Sequence, residues 1–298
     1  MVKTVQRLVV ILISFAVLLP RAFADDEITF KSTEVGKGIY MLEGVGGFAG
    51  GNIALSVGED GVVMIDDSMP PLLDNLKTAI STVTQRPITF LINTHLHQDH
   101  TGNNVSFGED GTHIIGHEKL RERLKETEIE GPEGKMPVPK KGLPVITFEK
   151  EITFYLNGEK ARVFHLESAH TDGDAVIYFE KSDVLHTGDI LFNGLFPFID
   201  LENGGSVQGY IAAQQKLYEL ANDKTVIIPG HGPVATKADL KAEFEMLEDA
   251  MKRVAKLKKK GMSEDEVVAK NPLKKYDEDW SWGFINTEKM TRTVYQSI

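Results

Sequence analysis

The segment Thr94-His95-Leu96-His97-Gln98-Asp99-His100-Thr101-Gly102 packs four metal-competent side chains into six residues, His95, His97, Asp99 and His100. In a chain with nine histidines, an H-x-H-x-D-H run arises by chance on the order of once in a thousand sequences of this length. On extended backbone His95 and His97 point to one side, because side chains alternate with a period of two. Asp99 and His100 follow as the chain turns toward a helix, so they aim at a neighbouring position, and the group can serve two adjacent cations. Neutral imidazoles and carboxylates suit zinc, and iron and manganese as well. Cysteine is absent, which excludes disulfides, a thiol nucleophile, iron–sulfur clusters and Cys-ligated zinc. Any metal is therefore held by His, Asp and Glu.

Three more residues stand where strands are expected to end. His170 lies in Ser168-Ala169-His170-Thr171, Asp189 in His186-Thr187-Gly188-Asp189, and His231 in Pro229-Gly230-His231-Gly232. Loops at the ends of buried strands are where a scaffold places reactive groups, and the neighbouring glycines permit close backbone approach. His113, His117, His165 and His186 match no such position and are read as structural, His186 pointing into the strand layer. Phe196 and Phe198 follow a strand, where aromatic residues are as often core as pocket wall. Phe48 sits in a glycine-rich stretch, 44–51, that is either a plain turn or a hairpin over the site.

The elements that must hold these residues can be read from the pattern. Short apolar runs at 38–43, 52–57 and 62–65 predict strands, with Glu59-Asp60-Gly61 as a hairpin turn. Ser68 is expected to cap a helix whose apolar residues Leu73, Leu76, Ile80 and Val83 keep helical spacing. The nearly all-apolar stretch 87–93 predicts a strand covered on both faces, ending at the histidine run. Residues 105–126 read as strand then helix, and 130–144, rich in Gly and Pro, as a loop. Strands follow near 151–156, 160–165, 174–179 and 183–187, then a loop at 193–205, a helix at 206–221 and a strand at 226–228. Beyond Thr236, which forms a capping-box pattern with Asp239, the texture is helical, with Gly261 as a stop and Ser263 opening another helix. Two sheets face to face with helices outside, an αββα sandwich, is the arrangement that fits.

The H-x-H-x-D-H run, the lone His170, Gly188-Asp189 and Pro229-Gly230-His231-Gly232 together resemble the metallo-β-lactamase superfamily, in order and spacing over about residues 28–235. The resemblance implies an α+β, four-layer αββα domain over 25–236, with a helical C-terminal extension, 237–298, packed on it. It implies one metal on His95, His97 and His170, a second on Asp99, His100 and His231, and Asp189 bridging both. Two classes of true metallo-β-lactamase use a cysteine ligand and the third lacks the bridging acid, so the set here is more similar to glyoxalase II and lactonases. The implied activity is that of a dinuclear zinc hydrolase. It would cleave an ester, thioester, lactone or amide bond, a β-lactam included, by attack of a metal-bridging hydroxide that Asp99 orients or relieves of its proton. Two alternatives are a mononuclear iron oxidoreductase similar to persulfide dioxygenases and a metal-binding accessory protein without turnover. Specificity is expected to lie in the loops 130–145 and 193–205.

Composition limits the remaining choices. The chain has 298 residues, 41% hydrophobic and 26% charged, an ordinary globular make-up that excludes disordered, collagen-like and multi-span membrane proteins. The formal net charge of -11 repels a phosphate backbone, so the expected partner is a small-molecule substrate and not nucleic acid. Residues 1–24 carry Lys3 and Arg7, then a twelve-residue run from Leu8 to Leu19, then Ala22-Phe23-Ala24. That is a secretory signal cleaved after Ala24, too short in its apolar part for the roughly 20 residues that span a bilayer. The expected product is periplasmic or secreted, with no membrane attachment after cleavage.

Overall fold

The computed structural model describes residues 28–131 and 134–298; the expected signal segment, 1–24, lies outside them. An antiparallel run of strands opens the first sheet: β1 (Thr29–Gly36), β2 (Ile39–Val45), β3 (Ile53–Gly58) and β4 (Gly61–Ile65). Helix α1 (Leu73–Val83) then crosses to β5 (Phe90–Ile92), the short helices α2 (Gln98–Thr101) and α3 (Asn104–Glu109) lead to β6 (His113–His117), and α4 (Glu118–Glu126) follows. A small hairpin of β7 (Glu128–Gly131) and β8 (Gly134–Pro137) precedes β9 (Ile146–Phe148), which completes a seven-stranded sheet in the order β1-β2-β3-β4-β5-β6-β9. The second sheet has five strands in chain order: β10 (Glu151–Leu156), β11 (Glu159–His165), β12 (Ala175–Phe179), β13 (Val184–His186) and, after helix α5 (Val207–Leu220), β14 (Val226–Ile228). The remainder is helical, with α6 (Lys237–Lys258), α7 (Glu264–Ala269), α8 (Asp277–Trp280) and α9 (Thr287–Ser297).

The central strands are apolar on both faces because both faces are covered. Alternate residues of β4 show this. Val63 and Ile65 join Ile92 and Ile115 in a core shared with Val163, Ile177 and Ile228 of the second sheet. Val62 and Met64 point the other way, onto Leu76, Ala79 and Ile80 of α1. On the far side Val176, Leu185 and Ile227 pack on Ala213 and Leu217 of α5 and Leu240 of α6. These are the four αββα layers. The helices after Thr236 build an apolar cluster of their own against α5, in which Phe244, Leu247 and Val254 of α6 meet Tyr210 and Met290. None of the described helices is long and apolar enough to cross a membrane.

Some local expectations need correction. The strand expected at 87–93 is paired only over Phe90–Ile92, and the strand-then-helix at 105–126 is preceded by α3. The expected loop 130–144 overlaps the β7–β8 hairpin, whose ladder runs from Glu128 opposite Pro137 to Gly131 opposite Gly134. Ser68 caps nothing. Its backbone is left-handed (φ 65°) and its hydroxyl donates to the Ala49 carbonyl, so a tertiary contact wins over local capping. Within each sheet the parallel pairs β4·β5 and β13·β14 end on the same side, and contacts between residues after β5, β13 and β14 bring these ends to one rim of the sandwich.

Candidate metal centre

Seven side chains named from the sequence converge at that rim. His95, His97, His170 and Asp189 each offer an atom within 4.8 Å of the others, and Asp99, His100 and His231 form a second such group. Asp189 faces both groups. Its Oδ2 lies 3.7 Å from His95 Nε2 and 3.5 Å from His170 Nε2, while its oxygens stand 3.1 Å from His100 Nε2 and 3.5 Å from His231 Nε2.

Each element delivers its residue for a local reason. After β5 the chain is caught by Asp66, whose carboxylate accepts from the Thr94 amide and hydroxyl, both at 2.7 Å. His97 is the N-cap of α2 with extended backbone (ψ 147°), so its ring leaves the helix and turns inward. His100 sits one turn into α2 and is fully buried. Gly51 lies so close that a Cβ there would meet the His100 ring at 2.1 Å. Asp189 stands after β13, and a Cβ on Gly230 would come within 2.0 Å of its Oδ1. The turn bearing His231 is held by Asn52, whose side-chain amide donates to the Pro229 and Gly232 carbonyls. His170 is set by Asp174, which accepts from the His170 and Thr171 amides.

The hydrogen bonds also decide which ring nitrogens remain free. His95 Nδ1 meets the Thr94 hydroxyl (3.0 Å), His97 Nε2 donates to Asp200 (2.8 Å) and His170 Nδ1 donates to the Phe198 carbonyl (2.7 Å). The opposite nitrogens then face one another with bare lone pairs, His97 Nδ1 lying 3.1 Å from His95 Nε2 and 2.8 Å from His170 Nε2. Nitrogens on a tetrahedral zinc are about 3.3 Å apart, given Zn–N bonds of ~2.0–2.1 Å. In the second group His100 Nδ1 donates to Asp66 (2.7 Å). His100 Nε2 and Asp189 Oδ1, although 3.1 Å apart, make no hydrogen bond to each other or to any described partner. Two buried atoms that close, aimed past each other, are arranged for a third atom between them, so the residues present fit a divalent cation.

Charge among the clustered side chains divides accordingly. Burial, reinforced by the neighbouring His100, holds His95 well below the usual imidazole range, and burial takes His170 down to about 4. Burial opposes protonation of His100 and His231 too, but the negative charge of Asp189 overcomes it, pushing His231 up to about 9 and His100 well above its ordinary value. Asp189 itself is held well below the usual carboxylate range by these imidazoles in spite of its burial. Positive charge thus gathers at the second group, where the carboxylates demand it.

The four histidines read as structural stand outside both groups. His186 is buried, its Nε2 donating to the Asn52 carbonyl and its Nδ1 accepting from the Gly188 amide. His117 and His165 stack face to face, 3.8 Å between ring centres, and His113 is exposed on β6. Sequence reading missed Asp66, Asp200 and Asn52. Single acids and amides in loops carry no local mark, and only the fold brings them to the rings. Phe198 lines the opening above the rings together with Phe48 and Phe192, whereas Phe196 is core. None of the described residues of 130–145 lines it, contrary to expectation; Trp282, Gly283 and Phe284 from the C-terminal extension do.

Comparison with known proteins agrees with this geometry. The chain is 23% identical over 192 residues to the 2,4-dinitroanisole O-demethylase subunit alpha of Nocardioides sp. (63% of this chain, 55% of that one). It is 27% identical over 107 residues to the hydroxyacylglutathione hydrolase of Pelagibacter ubique (36% and 37%). It therefore spans about half or less of the length of these relatives. Among solved structures, the stereoselective inverting sec-alkylsulfatase Pisa1 from Pseudomonas sp. shares the fold, with a TM-score of 0.67 at 16% identity over 90% of this chain and 50% of that one. The profile described as the metallo-beta-lactamase superfamily matches residues 46–231, a span that contains every one of the seven clustered side chains. The chain belongs to the metallo-beta-lactamase superfamily, whose named relatives here are enzymes.

Proposed function

We propose that this protein is an exported dinuclear zinc hydrolase acting on a carbonyl ester, thioester, lactone or amide. The observation that carries the reading is the pair of adjacent ligand groups sharing Asp189, with His100 Nε2 and Asp189 Oδ1 buried and unpaired at 3.1 Å. A purely structural zinc needs about four ligands, and the arrangement offers seven. His95, His97 and His170 would hold one ion, Asp99, His100 and His231 the other, and Asp189 would bridge. Two cations held there would supply Lewis acidity, polarising a carbonyl and lowering the pKa of coordinated water from ~15.7 toward about 7.

The chain's own residues supply the remainder. Asp99 is the least buried of the clustered acids, with its Oδ2 3.3 Å from His231 Nε2 and 3.5 Å from His100 Nε2. Burial would raise its pKa, but His100 and His231 hold it below the ordinary value, so it stays a carboxylate able to orient water or accept its proton. Asp200 and the Phe198 carbonyl keep the His97 and His170 rings in the tautomers that leave their ligand nitrogens bare, and Asp66 holds His100 Nδ1 so that Nε2 is the nitrogen turned to the ligand position. Export is supported by the charged, apolar and small-residue segments of residues 1–24. The test is metal analysis together with a panel of ester, thioester, lactone, β-lactam, alkyl sulfate and aryl methyl ether substrates on the chain from Asp25 onward. About two zinc ions per chain and turnover of a carbonyl substrate are expected, and Asp189→Ala should lose metal and activity together, the latter by about 100-fold or more. Full turnover by Asp189→Ala would defeat the bridging role. One iron per chain with persulfide oxidation would replace the hydrolase by an oxidoreductase.

A further inference from the structure

The cavity over the ligand groups holds about 640 Å³ and is lined by Phe48, Met69, Phe192, Phe198, Trp282 and Phe284 above a polar floor of His97, Gln98, Asp99, Asp189 and His231. The aromatic rings form a nearly continuous wall. His231 is stacked between Phe48 (5.8 Å, 14°) and Phe192 (4.8 Å, 23°). Trp282 lies 6.2 Å from Phe192 and 5.7 Å from Phe284, which in turn is 5.4 Å from Phe198, and Phe198 is 5.5 Å from His97. The indole N–H of Trp282 donates to the Phe196 carbonyl at 2.8 Å. Its one polar group is used within the protein, and it offers the cavity only an apolar face.

What the lining lacks decides the chemistry. Among the described residues it contains no lysine and no arginine; its acids are Asp99 and Asp189, and its imidazoles, His97 and His231, lie on the floor with the ligand groups and not in the aromatic wall. Lys289, the cation beside the wall, is engaged on Phe284 itself, donating to its carbonyl (2.7 Å) and standing 4.5 Å from its ring centre. A carboxylate or phosphate lying against this wall would lose its water and gain no partner. Phe48 and Phe284 remain 52% and 49% exposed. Large aromatics left open at the mouth of a cavity are informative in the way that scattered exposed residues are not.

Resting on the hydrolase reading, we infer that the substrate is a neutral ester or lactone bearing an aromatic or bulky alkyl group, gripped by a wall to which the C-terminal extension contributes Trp282 and Phe284. An anionic substrate such as a carboxylated β-lactam or a glutathione thioester is disfavoured by the same wall.

The test compares 4-nitrophenyl butyrate with 4-nitrophenyl hemisuccinate, which differ by a terminal carboxylate, on the zinc-loaded enzyme. A kcat/KM about tenfold or more higher for the butyrate is expected, and Phe284→Arg should narrow that ratio by raising the hemisuccinate rate. A second readout is independent of turnover: titration of tryptophan fluorescence with the corresponding neutral and carboxylated 4-nitroanilides, again with the neutral compound tighter. A carboxylate's own affinity for divalent cations works against this preference, which makes the comparison a strict one. Equal or better use of the anionic compounds in rate or in binding would overturn the inference. If neither ester, nor any substrate of the wider panel, turns over while the binding preference holds, the hydrolase reading falls and the cavity's selectivity for neutral aromatic ligands stands.

Discussion

Asp200 shows how much of a metal centre lies beyond its ligands. Its carboxylate accepts from His97 Nε2 at 2.8 Å and from the Asn203 side-chain amide at 2.7 Å. That bond directs His97 Nδ1 at His95 and His170 and fixes the tautomer of the ring. Asp200→Ala frees the ring to rotate and to move its proton. Metal affinity at the His95–His97–His170 group should then fall by about 10–100-fold, with the fold retained, as measured by competition with a chromophoric chelator. An unchanged affinity would mean that packing against Phe198 alone, 5.5 Å between ring centres, orients His97.

At the scale of elements, the site depends on the glycine turn between β2 and β3 pressing on α2. The Gly51 amide donates to the Asp99 carbonyl at 3.1 Å, and a methyl group at Gly51 would occupy the space of the His100 ring. Gly51→Ala should therefore displace His100 and empty the second metal position while the first still loads, halving the metal content. Overpacking of this kind costs about 1–3 kcal/mol, visible as a lowered urea midpoint. Full loading with unchanged stability would show that the turn can shift away. The same approach accounts for Gly50 and Gly51, since a Cβ on Gly50 would meet the Asp99 carbonyl at 2.7 Å: backbone, and not side chain, must approach the histidine helix.

Across the whole molecule, the C-terminal extension both completes the cavity and is tied to the sandwich by its own polar contacts. Asp249 of α6 accepts from Lys275 (2.8 Å), Arg253 (2.6 Å) and the Tyr276 hydroxyl (2.8 Å), pinning the segment that leads to Trp282. Partial burial would raise its pKa, but these donors hold it well below the usual carboxylate range. A depressed folded pKa means that the stabilisation is fully present above the unfolded value, about 3.9, and is lost as acid titrates the folded group. Asp249→Asn should thus lower stability at pH 7, by less than about 1 kcal/mol given solvent screening. The gap to the parent protein should begin to narrow below about pH 4 and go on narrowing as acid titrates the folded group, as read from urea midpoints measured across pH. A gap that does not narrow at all between pH 5 and pH 2 would assign the effect to packing and not to charge.

His170, Asp189 and His231 were singled out through the resemblance to the superfamily; the H-x-H-x-D-H cluster, the four-layer class and the helical character of the end of the chain the amino-acid sequence determined by itself. Those features rest on local spacing: imidazoles two apart on extended backbone, apolar runs of strand length, and apolar residues three and four apart beyond Thr236. Tertiary structure decided what arises between distant segments. It brought Asp66 and Asp200 to the rings of His100 and His97, turned Ser68 from a cap into a tether on Ala49, and carried Trp282 and Phe284 over a site whose ligands end at His231. A hydrogen bond or a cavity wall between residues 19 or more apart leaves no periodicity to read, because it depends on where two chain segments meet in space and not on the order of residues within either.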